Sequence, residues 1–117
     1  MTAGVYDLYI EAEAGFEQDF LWEGDDGLPV SLVGYTAEMM FRVNYADNTP
    51  VLTLSDGGNG IELGGAGGTI VIKLTHIQTG ALSVGNYVYD ILMTPPTGEP
   101  IRFLQGAAKV SPAVTKP

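Results

Sequence analysis

The stretch SDGGNGIELGGAGGTIVIKL, residues 55–74, decides the fold, because seven glycines crowd the positions ahead of a run of β-branched residues. Glycine loops that cradle a phosphate aim their backbone N–H groups at the anion and run straight into a helix N-terminus. Here the glycines run into TIVIKL, which alternates like a half-buried strand, and the Lys-Ser/Thr pair of a P-loop is missing. Residues 57–63, GGNGIEL, match one copy of the Gly-Gly-x-Gly-x-Asp-x unit of calcium-binding β-rolls, with Glu62 in place of Asp. That unit works by stacking many copies, and this sequence has one. The stretch therefore reads as two strands, 61–63 and 69–74, joined by a glycine turn at 64–68.

The same alternation continues outward. Residues 86–93 put Tyr87, Tyr89, Ile91 and Met93 on one face and Val88, Asp90 and Leu92 on the other. TPPTGEP then reads as a hairpin loop leading to a last strand at 101–110, because its prolines block continued pairing. Upstream, residues 36–45 direct Ala37, Met39, Phe41, Val43 and Tyr45 inward, and residues 16–22 do the same with Phe16, Phe20 and Trp22, leaving Glu17 and Asp19 wet. Residues 6–12 read as a strand with Tyr6, Leu8 and Ile10 on its inner face, and residues 51–54 as a shorter one. EGDDGL, residues 23–28, supplies the Gly and Asp of an exposed turn. THIQTGAL, residues 75–82, breaks the alternation, and Leu74, Ile77 and Leu82 predict one short helical turn between two strands. About eight short strands with one helical turn predict an all-β, antiparallel β-sandwich rather than a barrel. The expected organisation is one domain over residues 1–110 and a polar tail at 111–117.

Composition narrows the functional classes. At 117 residues the chain supports one two-layer core, and sixteen glycines with seven prolines demand many turns. The formal charge is −9, and eight acids lie within the first 26 residues, whereas the first cation is Arg42. A field of that sign repels phosphate backbones and anionic lipid, so neither nucleic acid nor membrane is an expected partner. Solvation accounts for the acids first, and a docking surface for a basic partner second. No run of eighteen apolar residues occurs, and MTAGVYDLYIEAEAG lacks the basic start and apolar core of a signal peptide, which predicts synthesis in a cytoplasm. Cysteine is absent, so disulfides, thiolate metal sites and a cysteine nucleophile are not available.

Catalytic patterns are sparse. His76 is the single histidine and no Gly-x-Ser-x-Gly occurs, so it reads as a surface helix residue. Zinc would need three or four nitrogen or sulfur ligands. Most of the fourteen acids fall on wet strand faces or in turns, so no enzyme and no cofactor are expected. Glu23, Asp25 and Asp26 are weak calcium candidates, since Asp also makes turns. Asp90, inside YVYDILM, needs water or a donor such as Arg42 or Arg102. Tyr9, Trp22 or Tyr45, if exposed, would form a sugar-stacking platform, although aromatics at strand period usually enter the core.

The order of GYTAEMMFRV (residues 34–43), NGIELGGAGGTIVIKLTHIQTGALSVGNYVYDI (59–91) and IRFLQGAAKVSPAVT (101–115) resembles small tailed-phage virion proteins. It is similar to the Ig-like N-terminal domain of baseplate upper proteins, over most of the chain after Gly15. The resemblance implies that Gly85, Tyr87, Tyr89 and Asp90 fix the fold. It also implies a non-enzymatic structural protein of a phage tail, baseplate, head-tail junction or capsid, made in the host cytoplasm and located in the virion. Its partners would be other virion proteins, copies of itself included. Baseplate relatives often carry a long C-terminal extension that this sequence does not show, which points to a stand-alone module. Glu17, Asp19, Asp25, Asp26, Ser111 and Val114 are the expected contact residues, and a carbohydrate-binding module is the alternative.

Overall fold

The computed structural model describes residues 4–114. Nine strands form two packed sheets: β1 (Gly4–Val5), β2 (Leu8–Glu11), β3 (Phe16–Leu21), β4 (Thr36–Arg42), β5 (Leu52–Ser55), β6 (Ile61–Leu63), β7 (Thr69–Leu74), β8 (Gly85–Thr94) and β9 (Ile101–Ser111). The one α-helix among the described residues, α1 (His76–Ala81), bridges β7 and β8. The large sheet runs β1-β9-β8-β4-β5, with β2 also on β9, and the small sheet runs β3-β7-β6. The pairings between these strands are antiparallel except those of β1 and β2, which run parallel to β9.

That topology is the immunoglobulin arrangement. Strands β3 to β9 take, in chain order, the places of B, C, C′, D, E, F and G, with G-F-C-C′ packed on B-E-D. A second signature sits at the start of β8. The Tyr87 hydroxyl donates to the Ser83 carbonyl oxygen at 2.6 Å, the corner by which such domains pin strand F to the preceding loop. Tyr89, two residues on, occupies the place of the second disulfide cysteine. Its ring lies 6.0 Å from that of Phe41 on β4, so two aromatic rings fill the region that a disulfide and a tryptophan fill elsewhere.

The inner faces follow the period-two reading. Ala37, Met39 and Phe41 of β4, Ile70, Ile72 and Leu74 of β7, and Tyr87, Tyr89, Ile91 and Met93 of β8 are all buried. Trp22 is buried as well, with its ring 5.0 Å from that of Phe103. Phe103 reaches the core through a β-bulge: Ile91 pairs with Leu104 and Leu92 with Arg102, leaving Phe103 as the extra residue. The bulge also resets parity, so that Arg102 faces out.

Three expectations are corrected. Val43 and Tyr45 are exposed, because β4 ends at Arg42 and the chain turns where the Asn44 side chain accepts from the Ala46 N–H. Ile77 is exposed at 70%, and Thr79 is the buried helix residue, its hydroxyl donating to the Ala14 carbonyl oxygen at 2.8 Å. Tyr6 is 43% exposed because residues 4–11 form two strands that break at Tyr6 and Asp7. At that break the Asp7 carboxylate accepts from the Ala107 N–H at 3.0 Å. The Tyr6 carbonyl oxygen accepts from the Tyr89 hydroxyl and lies over Gly106, where a Cβ would collide with it.

The glycine stretch is structural. Gly64 and Thr69 close the turn between β6 and β7, and Gly68, at φ 73°, sits where a Cβ would meet the Trp22 and Val30 carbonyl oxygens near 3 Å. Trp22 N–H donates to the Gly68 carbonyl and Leu32 N–H to that of Gly65, which docks the turn on the segment after β3. The helix begins with a capping box: Thr75 Oγ1 accepts from the Gln78 N–H while Gln78 Oε1 accepts from the Thr75 N–H.

Candidate functional site

Two surfaces stand out. The first is a cleft of about 880 Å³ beside the glycine turn that follows β5, lined among others by Thr53, Ser55, Asn59, Glu62, Lys73 and Gln78. Cross-strand register places Glu17 opposite Lys73 and Glu62 opposite Val71, all on the outward face of the small sheet. Lys73 Nζ reaches Glu62 at 3.2 Å and Glu17 at 3.6 Å. The Glu62 hydrogen bond and charge, with Glu17 adding, hold the Lys73 ammonium above the usual lysine range. All three side chains are about half exposed, so the triad is a surface network rather than a catalytic pair.

The second is the outer face of the large sheet. Parity turns Met40 and Arg42 of β4, Val88, Asp90 and Leu92 of β8, and Arg102 and Lys109 of β9 outward. Met40, Val88 and Leu92 are only half-buried and form an apolar centre. Around it stand three of the five cations of a chain with charge −9, namely Arg42, Arg102 and Lys109. Arg42 is held in place, donating to the Asp47 carbonyl oxygen and packing over the Met40 sulfur. Arg102 Nε donates to Asp90 Oδ2 at 3.2 Å, which gives Asp90 the cation partner expected from sequence. Tyr9, 72% exposed, extends the face at the Lys109 register position on β2. An apolar centre ringed by preorganised Arg and Tyr is the composition of docking surfaces.

The residues singled out from sequence do not converge. Glu17 and Asp19 lie on the small sheet; Asp25 and Asp26 lie in the turn beyond it, where Asp26 Oδ1 accepts from the Leu28 N–H at 3.0 Å. Glu23 pairs with Pro29 at the base of that turn. Among the described residues no group of three His, Asp or Glu side chains gathers as a metal site. Ser111 is the last residue of β9, paired with Glu11, and Val114 is fully exposed beyond it. The remainder of the expected tail, residues 115–117, lies outside the described residues. Exposed His76 opens α1. Trp22 is core, which removes it from any sugar platform, while Tyr9 and Tyr45 stand on strands β2 and just past β4, separated by β9 and β8. The outer face of the large sheet was missed as a unit because parity marks each strand's faces but not which strands become neighbours. Its one sequence signal was the shared parity of Asp90 with Val88 and Leu92.

No family model matches the chain, and no curated protein does. Among solved structures it is similar to the extracellular domain of the voltage-gated sodium channel beta4 subunit, described as forming parallel homodimers in cell-cell adhesion. Identity there is 12%, with 97% of each chain covered and a TM-score of 0.47. It is also similar to extracellular domains 3–5 of Drosophila OTK, at 15% identity over 97% of this chain and 34% of that one, with a TM-score of 0.42. A further structure of sodium channel beta subunits, studied for multimeric cell-adhesive interactions, is 11% identical over 95% and 96% of the two chains, with a TM-score of 0.43. The Ig-like class stands on this chain's own strand order and corner tyrosine.

Proposed function

We propose that the chain is a non-enzymatic assembly module of a tailed-phage particle, contributing contacts rather than chemistry. The observation that carries the reading is the open outer face of the large sheet, where half-buried Met40, Val88 and Leu92 have no covering element among the described residues. The resemblance in motif order to small virion proteins supplies the kind of assembly. In a particle with many copies, modest contacts become cumulative, so a 117-residue domain contributes without a large interface. The test is quantitative mass spectrometry of purified particles from a lysate of the source strain. The expected result is the chain at a fixed ratio to the major structural proteins. Complete particles that lack the chain overturn the reading.

Glycan binding is the second reading, favoured by the polar lining of the small-sheet cleft, in which Thr53, Ser55, Asn59 and Gln78 offer hydroxyls and amides to a hydroxylated ligand. Titration with a panel of host glycans, followed by Phe16 and Lys73 chemical shifts, decides it: saturable shifts confined to the cleft support the reading, and none across the panel removes it.

A further inference from the structure

We propose that the outer face of the large sheet is the interface of a two-fold homodimer in which Arg102 of each copy meets Glu38 of the other. The inference rests on the assembly reading and names its first partner, a second copy. It comes from register. Glu38 pairs with Leu92, and Leu92 with Arg102, so the three lie in one row across β4, β8 and β9. Adjacent strands are about 4.8 Å apart, which puts an acid and a cation one strand to either side of a leucine. A two-fold axis in the interface plane, running along β8, exchanges the two sides of that row. It lays Leu92 on Leu92 and Val88 on Val88, and sets each Arg102 over the partner's Glu38.

The charges fit this arrangement without rearrangement. Glu38 makes no ion pair among the described residues. Arg102 uses Nε on Asp90, and its terminal nitrogens donate to nothing within the described chain. A guanidinium fork can serve Asp90 and a second carboxylate together. Each copy brings Glu38 and Asp90 against Arg42 and Arg102, so the centre of the interface is neutral although each chain carries −9. Face-to-face packing of two sheets is an ordinary geometry at about 10 Å separation.

Sedimentation velocity of the intact chain over a concentration series tests the proposal, with thermal unfolding confirming that each variant is folded. The wild-type mass is expected to double with concentration. Arg102→Glu and Glu38→Arg should each weaken association at least about tenfold, Leu92→Lys should do the same, and the double variant Arg102→Glu/Glu38→Arg should restore it. Lys73→Glu, on the other sheet, should leave association unchanged. A wild type that stays monomeric throughout overturns the dimer while leaving the particle-composition test of the assembly reading intact. Association that survives Arg102→Glu and Leu92→Lys places the contact elsewhere and overturns it too. Loss in the single variants with no recovery in the double overturns the pairing.

Discussion

On the small sheet the outward positions hold Glu17, Asp19, Glu62 and Lys73, whereas on the large sheet the corresponding positions hold Met40, Val88 and Leu92 with Arg42 and Arg102 among them. Inward, the two are alike: Ile70 and Ile72 of one and Ile91 and Met93 of the other are fully buried. Folding therefore constrains both inner faces equally and leaves the outer faces free to diverge. One outer face is charged and wet, and the other carries a half-buried apolar centre. The lesson is that in a two-layer sandwich the candidate function is read from the outward parity, strand by strand, after the inward parity has been assigned to the core.

Four measurements break or sharpen that contrast. The largest effect is expected from the shared interior: Ile72→Ala on the small sheet and Ile91→Ala on the large one should each lower the unfolding free energy in urea by about 2–5 kcal/mol. A small-sheet loss far below the large-sheet one would mean that the two layers do not share one core. Next comes Gly106→Ala on β9, whose added methyl must displace the Tyr6 backbone. It should cost about 1–3 kcal/mol by overpacking, read as a drop in melting temperature. Gly67→Ala, where a Cβ meets open space, should do far less.

Tyr89→Phe removes the hydroxyl that donates to Tyr6 and should cost about 1 kcal/mol at neutral pH. It also has a pH signature. Burial, with the Asp7 and Tyr6 charges adding, raises the Tyr89 phenol above its ordinary 10.0. The unfolded chain then releases this proton before the folded one, so the stabilisation is complete below pH 10 and declines as pH rises through and beyond that value. The variant should show a shallower alkaline loss in pH-dependent unfolding; an unchanged slope would show that Tyr89 does not carry it. The smallest effect belongs to the wet sheet. Lys73→Met should leave the melting temperature within experimental scatter at physiological salt, because its two partners are half exposed.

Much of the sandwich was legible because its strands keep period two. The inward sets of β7 and β8 follow directly from TIVIKL and YVYDILM, and the helical turn shows where the alternation lapses. Where an alternating pattern stops being a strand was not legible. Val43 and Tyr45 continue the parity of Phe41 but have left the ladder, and only the turn-forming Asn44 marks the exit. The helix was placed correctly and rotated wrongly, since Ile77 outranks Thr79 in hydrophobicity although a buried hydroxyl with a carbonyl partner fits the site. The outer face of the large sheet was illegible for a different reason. Its members come from β4, β8 and β9, and although the β8–β9 hairpin was legible, the adjacency of β4 and β8, some fifty residues apart, is a property of the fold.

The parallel pairing of β2 with β9 joins residues about a hundred positions apart, as the Asp7 to Ala107 and Ile10 to Ser111 hydrogen bonds show. During synthesis, β5 and β8 can each pair with β4 before β9 leaves the ribosome, but the first two strands wait for β9, so the large sheet is completed last. High contact order of this kind slows folding to milliseconds or longer and leaves the edge of β8 open meanwhile. The outward Val88 and Leu92 of β8 are then a hazard in the nascent chain, and the Asp90 carboxylate between them interrupts the apolar run.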